Sequence, residues 1–86
     1  MIIFITTRNG FEDMKRIIKE GNSPVWVNAG VLTDTEIADL RKTGINVTNF
    51  SYYIDPTKIN DIGGVISTIQ EHHPGERIWV EVQTGT

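Results

Sequence analysis

Residues 6–10, Thr-Thr-Arg-Asn-Gly, bring together two hydroxyls, a guanidinium, a carboxamide and a glycine where an apolar run gives way to a helical pattern. That is the chemistry of anion binding. A helix N-terminus offers free N–H groups and a partial positive charge. Arg8 can add a fork of donors, and Thr6 and Thr7 can add hydroxyls. The loop carries a single glycine, however. Phosphate cradles of the P-loop and dinucleotide types use several, so that the backbone can approach the oxygens. Glu12 and Asp13 also put negative charge near the start of the helix. Plain capping is therefore the expectation, and anion binding the alternative.

Other candidates are read the same way. Asn28-Ala29-Gly30-Val31 ends an apolar stretch and could form part of a ligand wall, or only a tight turn. Asp55 could act in a crevice, with Thr57 and Lys58 beside it. It is also a good N-cap, and Pro56 after it supports that role. His72-His73 invites a metal, but neighbouring residues on a helix point about 100° apart. No other histidine and no cysteine exists to complete a site with them. The basic flank of Lys15, Arg16 and Lys19 is diluted by Glu12, Asp13 and Glu20 and reads as a solvated face. Asn46-Val47-Thr48 and Asn49-Phe50-Ser51 match glycosylation sequons but fall within a strand pattern.

Acid–base or nucleophilic chemistry usually draws on His, Cys or paired carboxylates. The expected crevice holds none of these beyond Asp55, which points away from catalysis. No cofactor and no metal is called for.

The 86 residues make one domain, 1–86, with a formal charge of −3. A domain this small leaves roughly 40% of its unfolded surface exposed, so its stability is marginal. Hydrophobic residues at 38% and charged residues at 22% are ordinary for a globular chain. The acid excess argues against nucleic acid as a partner. The absence of cysteine rules out a disulfide framework. The N-terminal apolar run lacks the flanks of a signal peptide, and no run approaches the ~20 residues of a membrane span. The cytoplasm is the expected location, with no membrane partner.

Periodicity supplies the elements that must hold these residues. Ile2–Thr6 is an unbroken apolar run, as in a strand buried on both faces. Phe11, Met14, Ile17 and Ile18 give a first helix, with Asn9 and Glu12 outlining a capping box and Gly21 ending it. Val25–Asn28 is a second strand. Thr33 and Glu36 form a T-x-x-E box opening a second helix, with Leu32 and Ile37 as staple and Gly44 as stop. A third strand lies within 45–54. A third helix begins after Asp55-Pro56, with Ile59, Ile62, Ile66 and Ile69 on one face. Gly63-Gly64 implies a kink, a close approach or a late start. A fourth strand runs from Ile78 to Val82, its aliphatic residues alternating with Trp79, Glu81 and Gln83.

The expected fold class is α/β: a β-α-β-α-β-α-β domain with a four-stranded parallel sheet in the order 2-1-3-4, one helix on one face and two on the other. In that order a ligand crevice would lie between the first and third strands, lined by Thr6, Thr7, Arg8, Asn9, Gly10, Asn28, Asp55 and Lys58. Strands three and four would share an uncovered side carrying Phe50, Tyr52, Tyr53, Trp79 and Glu81. The function expected is a small non-enzymatic interaction module, self-associating through that side or binding another protein. The alternative is a domain for a small anionic ligand, phosphate or nucleotide, at the first strand–helix loop.

Overall fold

The computed structural model describes residues 1–82. Its elements run β1 (Ile2–Ile5), α1 (Arg8–Glu20), β2 (Val25–Val27), α2 (Asp34–Lys42), β3 (Val47–Asn49), α3 (Ile59–His72) and β4 (Ile78–Val80). All pairings are parallel. The α/β fold class and element order are those expected from the pattern. Gln83, expected at the end of the fourth strand, lies outside the described residues.

The order across the sheet is β3-β2-β1-β4. It differs from 2-1-3-4 in what flanks β1: β2 is on one side as expected, but β4 takes the place of β3 on the other. The reason is in the strands themselves. Interior strands of a parallel sheet are covered on both faces and need unbroken apolar runs. Ile2-Ile3-Phe4-Ile5 and Val25-Trp26-Val27 meet that need and are buried throughout. Val47-Thr48-Asn49 does not, so β3 belongs at an edge.

This order also sets which helices share a face. The crossovers β1→β2 and β2→β3 step in one direction and the crossover β3→β4 steps back, so right-handed connections put α1 and α2 together and α3 alone. The core divides accordingly. Ile3, Ile5, Val25, Val27 and Val47 pack with Phe11, Ile18, Ile37 and Leu40 of α1 and α2. On the opposite face Ile2, Phe4 and Trp26 pack with Ile62, Val65 and Ile69 of α3. The expected division of one helix against two holds, with α3 as the single helix.

Helix ends show local chemistry at work. The α2 capping box forms as expected: Thr33 Oγ1 accepts from Glu36 N at 3.1 Å, and Glu36 Oε1 accepts from Thr33 N at 3.0 Å. Gly44 takes φ +88° just beyond the end of α2, a conformation that favours glycine. The box expected at Asn9 and Glu12 does not form, because α1 starts earlier, with Thr7 as N-cap accepting from Gly10 N at 3.1 Å. The Asp55-Pro56 start also shifts. Asp55 Oδ1 accepts from Thr57 N, and Asp55 O accepts from Lys58 N, making a turn with Pro56 at its second position; α3 begins at Ile59. Ile59 is consequently exposed, and Val65 takes its expected place on the buried face. α3 runs through Gly63 and Gly64, and nothing lies within 4 Å of where their Cβ atoms would be, so the glycines serve no close approach.

Candidate functional site

The carboxyl end of β1 is where the order turns from β2 on one side to β4 on the other. That is the place at which open α/β sheets bind ligands. Two threonines at the end of β1 and the first turn of α1 present their donors there, and the group they hold is the chain's own Glu81. Its Oε1 accepts from Thr6 N and Thr7 N, both at 2.9 Å. Its Oε2 accepts from the Thr7 hydroxyl. The Thr6 hydroxyl donates to Glu81 O at 3.0 Å. Glu81 N in turn donates to Phe4 O at 3.0 Å, continuing the β1–β4 ladder by one residue.

Gly10 makes room for this arrangement. A Cβ built on Gly10 would fall directly on the Glu81 carboxylate. The single glycine of the loop therefore does let an anion approach a helix N-terminus, and the anion is internal. No acidic residue lies in the first turn of α1. Glu81, brought from the far end of the chain, meets the positive end of the helix instead.

The other candidates separate into distinct sites. Arg8 points along α1 and α2, away from Glu81. Its guanidinium donates to Glu36 Oε1 and Glu12 Oε1, each at 2.8 Å, and to Val31 O at 3.2 Å, and it lies 5.3 Å from the Phe11 ring centroid. The Arg8 hydrogen bond, then the backbone N–H of Thr33, lower the Glu36 pKa to about 2; the bond to Glu36 raises that of Arg8. Asn9 is exposed in the first turn.

Asn28 is fully buried and acts as a brace. Its Nδ2 donates to Thr6 O at 3.1 Å and Ile54 O at 2.7 Å, and its Oδ1 accepts from Ile54 N at 2.9 Å. It ties the ends of β1 and β2 to the segment returning from β3, and all of its amide groups are turned to the chain itself. Asp55 is occupied by Thr57, whose hydroxyl donates to Oδ1 at 2.7 Å. That bond, then the Thr57 backbone N–H, holds the carboxyl below its ordinary range. Lys58 is exposed at the N-cap of α3. No hydrogen bond or ion pair among the described residues joins Asp55 to Arg8. The expected crevice between β1 and β3 is absent because those strands are not neighbours.

The expected shared side of β3 and β4 divides for the same reason, since the two strands are opposite edges of the sheet. Phe50 is buried against Phe4 and Trp26. Tyr52 and Tyr53, 59% and 68% exposed, flank a shallow depression with Asn60, Asp61 and Gly64 at the start of α3. Trp79 and Glu81 remain together, on the α1 side of β4. Ile78 and Val80 pack toward α3, as the alternation requires.

Among the described residues no helix lies over β4 on that α1 side, because α1 and α2 cover β1, β2 and β3. Trp79 is 52% exposed there. It lines a groove of about 400 Å³ whose other walls include Ile3, Ile5, Asp13, Met14 and Glu81. His72 and His73 set their rings edge-on to buried Trp26, 5.5 and 6.0 Å between centroids. No cluster of three potential metal ligands occurs among the described residues. No helix among them is long and apolar enough to cross a membrane.

The chain matches no protein-family model, no curated protein and no solved structure.

Proposed function

We propose that this chain is a non-enzymatic interaction module that accepts a β-strand along its β4 edge. The observation that supports this is the outer flank of β4, which no other described element covers and where Trp79 is half exposed above a largely apolar groove. An edge strand offers a row of unpaired N–H and C=O groups, and an added strand takes its affinity from them and its selectivity from pockets for alternate side chains. β4 has both features, the edge for the backbone and the groove for a side chain. β3 is an edge as well, but its Val47-Thr48-Asn49 sequence offers little apolar surface beside it. Binding of a small anion at the first strand–helix loop has less support, since the Thr6 and Thr7 donors are already engaged by Glu81.

The test is a titration of ¹⁵N-labelled protein with a short synthetic peptide of alternating valine and threonine, and separately with inorganic phosphate. The peptide is expected to shift the amides of Ile78 and Val80 and the indole of Trp79, with Met14 following. Amides along β4 that stay still to millimolar peptide would defeat the proposal. Phosphate moving Thr7 to Phe11 while the peptide leaves β4 untouched would favour the anion reading in its place.

A further inference from the structure

We infer that the strand accepted at the β4 edge is β4 of a second copy of this chain, antiparallel, with Trp79 on the twofold axis. This rests on the strand-addition reading and adds to it the occupant and the register.

Two hydrogen bonds decide which backbone groups face outward. Arg77 O accepts from Ile2 N at 2.7 Å, and Glu81 N donates to Phe4 O at 3.0 Å. The odd-numbered residues of this segment are thus turned toward β1. Successive residues of a strand turn their N–H and C=O to opposite sides, so those of Ile78 and Val80 point away from the sheet. An antiparallel neighbour exchanges both bonds only with residues of that kind. With Trp79 on the axis, Ile78 pairs with Val80 of the second copy and Val80 with its Ile78, giving four bonds between strands. The two Trp79 residues then form a non-hydrogen-bonded pair, where side chains come closest and aromatic pairs contribute most.

The side chains fit the same register. Arg77-Ile78-Trp79-Val80-Glu81 runs from a cation through an aliphatic residue to Trp79, then through an aliphatic residue to an anion. Inverting the strand sets Ile78 against Val80 and Arg77 against Glu81 at both ends. Arg77, Trp79 and Glu81 share the α1 side by alternation, and Asp13 stands in the same groove, adding a second carboxylate at the end where the partner's Arg77 arrives. Arg77 is exposed and forms no ion pair among the described residues. Glu81 is held in place by Thr6 and Thr7, so its position is set before the cation comes. A parallel, in-register pairing would oppose like charges at both ends, which destabilises a sheet. The result is a closed dimer whose eight strands form one continuous sheet. Its contact is short, which puts the dimer in the weak class of interfaces.

The experiment is sedimentation equilibrium from micromolar to millimolar concentration, together with isotope-filtered NOE spectra on a mixture of labelled and unlabelled protein. The expected result is a shift from monomer to dimer mass and intermolecular contacts between Ile78 and Val80. Arg77→Glu, at an exposed position, should weaken the dimer by about tenfold or more while leaving the monomer's spectrum otherwise intact. A dimer whose intermolecular contacts lie elsewhere, or one indifferent to Arg77→Glu, overturns the register. A strict monomer at millimolar concentration overturns the second copy as occupant, yet leaves strand addition standing if the valine–threonine peptide still moves Ile78 and Val80. Failure of both experiments removes both.

Discussion

Alanine at position 10 should lower stability, although alanine normally improves a helix over glycine by up to about 1 kcal/mol. The expected reversal comes from Glu81. The added Cβ would lie where the carboxylate sits. The obstacle is the end of a flexible side chain, so the carboxylate swings away, and the cost is the bonds it leaves. Those are two backbone N–H groups at 2.9 Å and the Thr7 hydroxyl. Hydrogen bonds to a charged acceptor contribute about 1.5–3 kcal/mol each when fully buried. Thr7 is only half buried, so water replaces part of its loss, whereas Thr6 is buried and its N–H is left without an acceptor. Losing the set then costs about 2–4 kcal/mol, and Gly10→Ala should be net destabilising by about 1–3 kcal/mol. For a domain of this size that is a fall in Tm of roughly 4–8 °C per kcal/mol. Urea denaturation gives the sign most directly, with Gly64→Ala as the control, since open space surrounds that position and the ordinary gain of about 0.5–1 kcal/mol applies. The decisive comparison is the double variant. Once Glu81 is alanine, Gly10→Ala meets no obstacle and should stabilise. A Gly10→Ala variant as stable as Gly64→Ala in the otherwise unchanged chain would refute the Glu81 contact with the helix terminus.

Two further outcomes follow from the braces around this end of the sheet. Asn28→Ala should cost about 3–4 kcal/mol in urea denaturation, because it removes three hydrogen bonds and leaves buried backbone groups at Thr6 and Ile54 unpaired; a loss below about 1 kcal/mol would show the amide to be dispensable. The Glu36 pKa is lowered in the folded chain to about 2, so its contribution is fully present above the ordinary carboxylate range and disappears as pH falls from about 4.5 through about 2. The stability difference between the unchanged chain and Glu36→Gln should therefore shrink across that window, and a carboxyl resonance of Glu36 titrating near its ordinary value would contradict the Arg8 pairing.

Much of the fold was legible from periodicity, and which strands are interior was legible too, from how apolar each run is. The polar Val47-Thr48-Asn49 run could not be a strand covered on both faces, and Val25-Trp26-Val27 could. Weighing strands by what an interior position demands puts β1 and β2 inside and β3 and β4 at the edges, which excludes 2-1-3-4 and leaves β3-β2-β1-β4 as one of two orders. The α2 box was readable because both of its partners lie within four residues. The start of α1 was not, because the carboxylate that meets its N-terminus is 74 residues from Thr7. No local pattern encodes that. It could be inferred only after β4 was placed beside β1, when the alternation Trp79-Val80-Glu81 puts a carboxylate over the end of the neighbouring strand. The Asp55-Pro56 start was misplaced for a local reason: a turn and a helix N-terminus share the same residue preferences, and Asp55 bonds to Thr57 within the turn.

The exposure of Trp79 and the position of Glu81 are one constraint seen twice. Strand side chains alternate, so the two residues must face the same side. Glu81 has to face α1, where the helix terminus and the end of β1 supply its donors. Trp79 is then carried to the α1 side as well, and no described helix covers that side of β4 because both of the first two crossovers lead away from it. A one-residue slip of β4 against β1 would bring Trp79 under α3, but it would also take Glu81 away from Thr6 and Thr7 and turn Ile78 and Val80 outward. Burying the indole within one chain therefore conflicts with satisfying the start of α1. A strand from outside resolves that conflict without moving β4, because it covers Trp79 while every bond to Glu81 is kept.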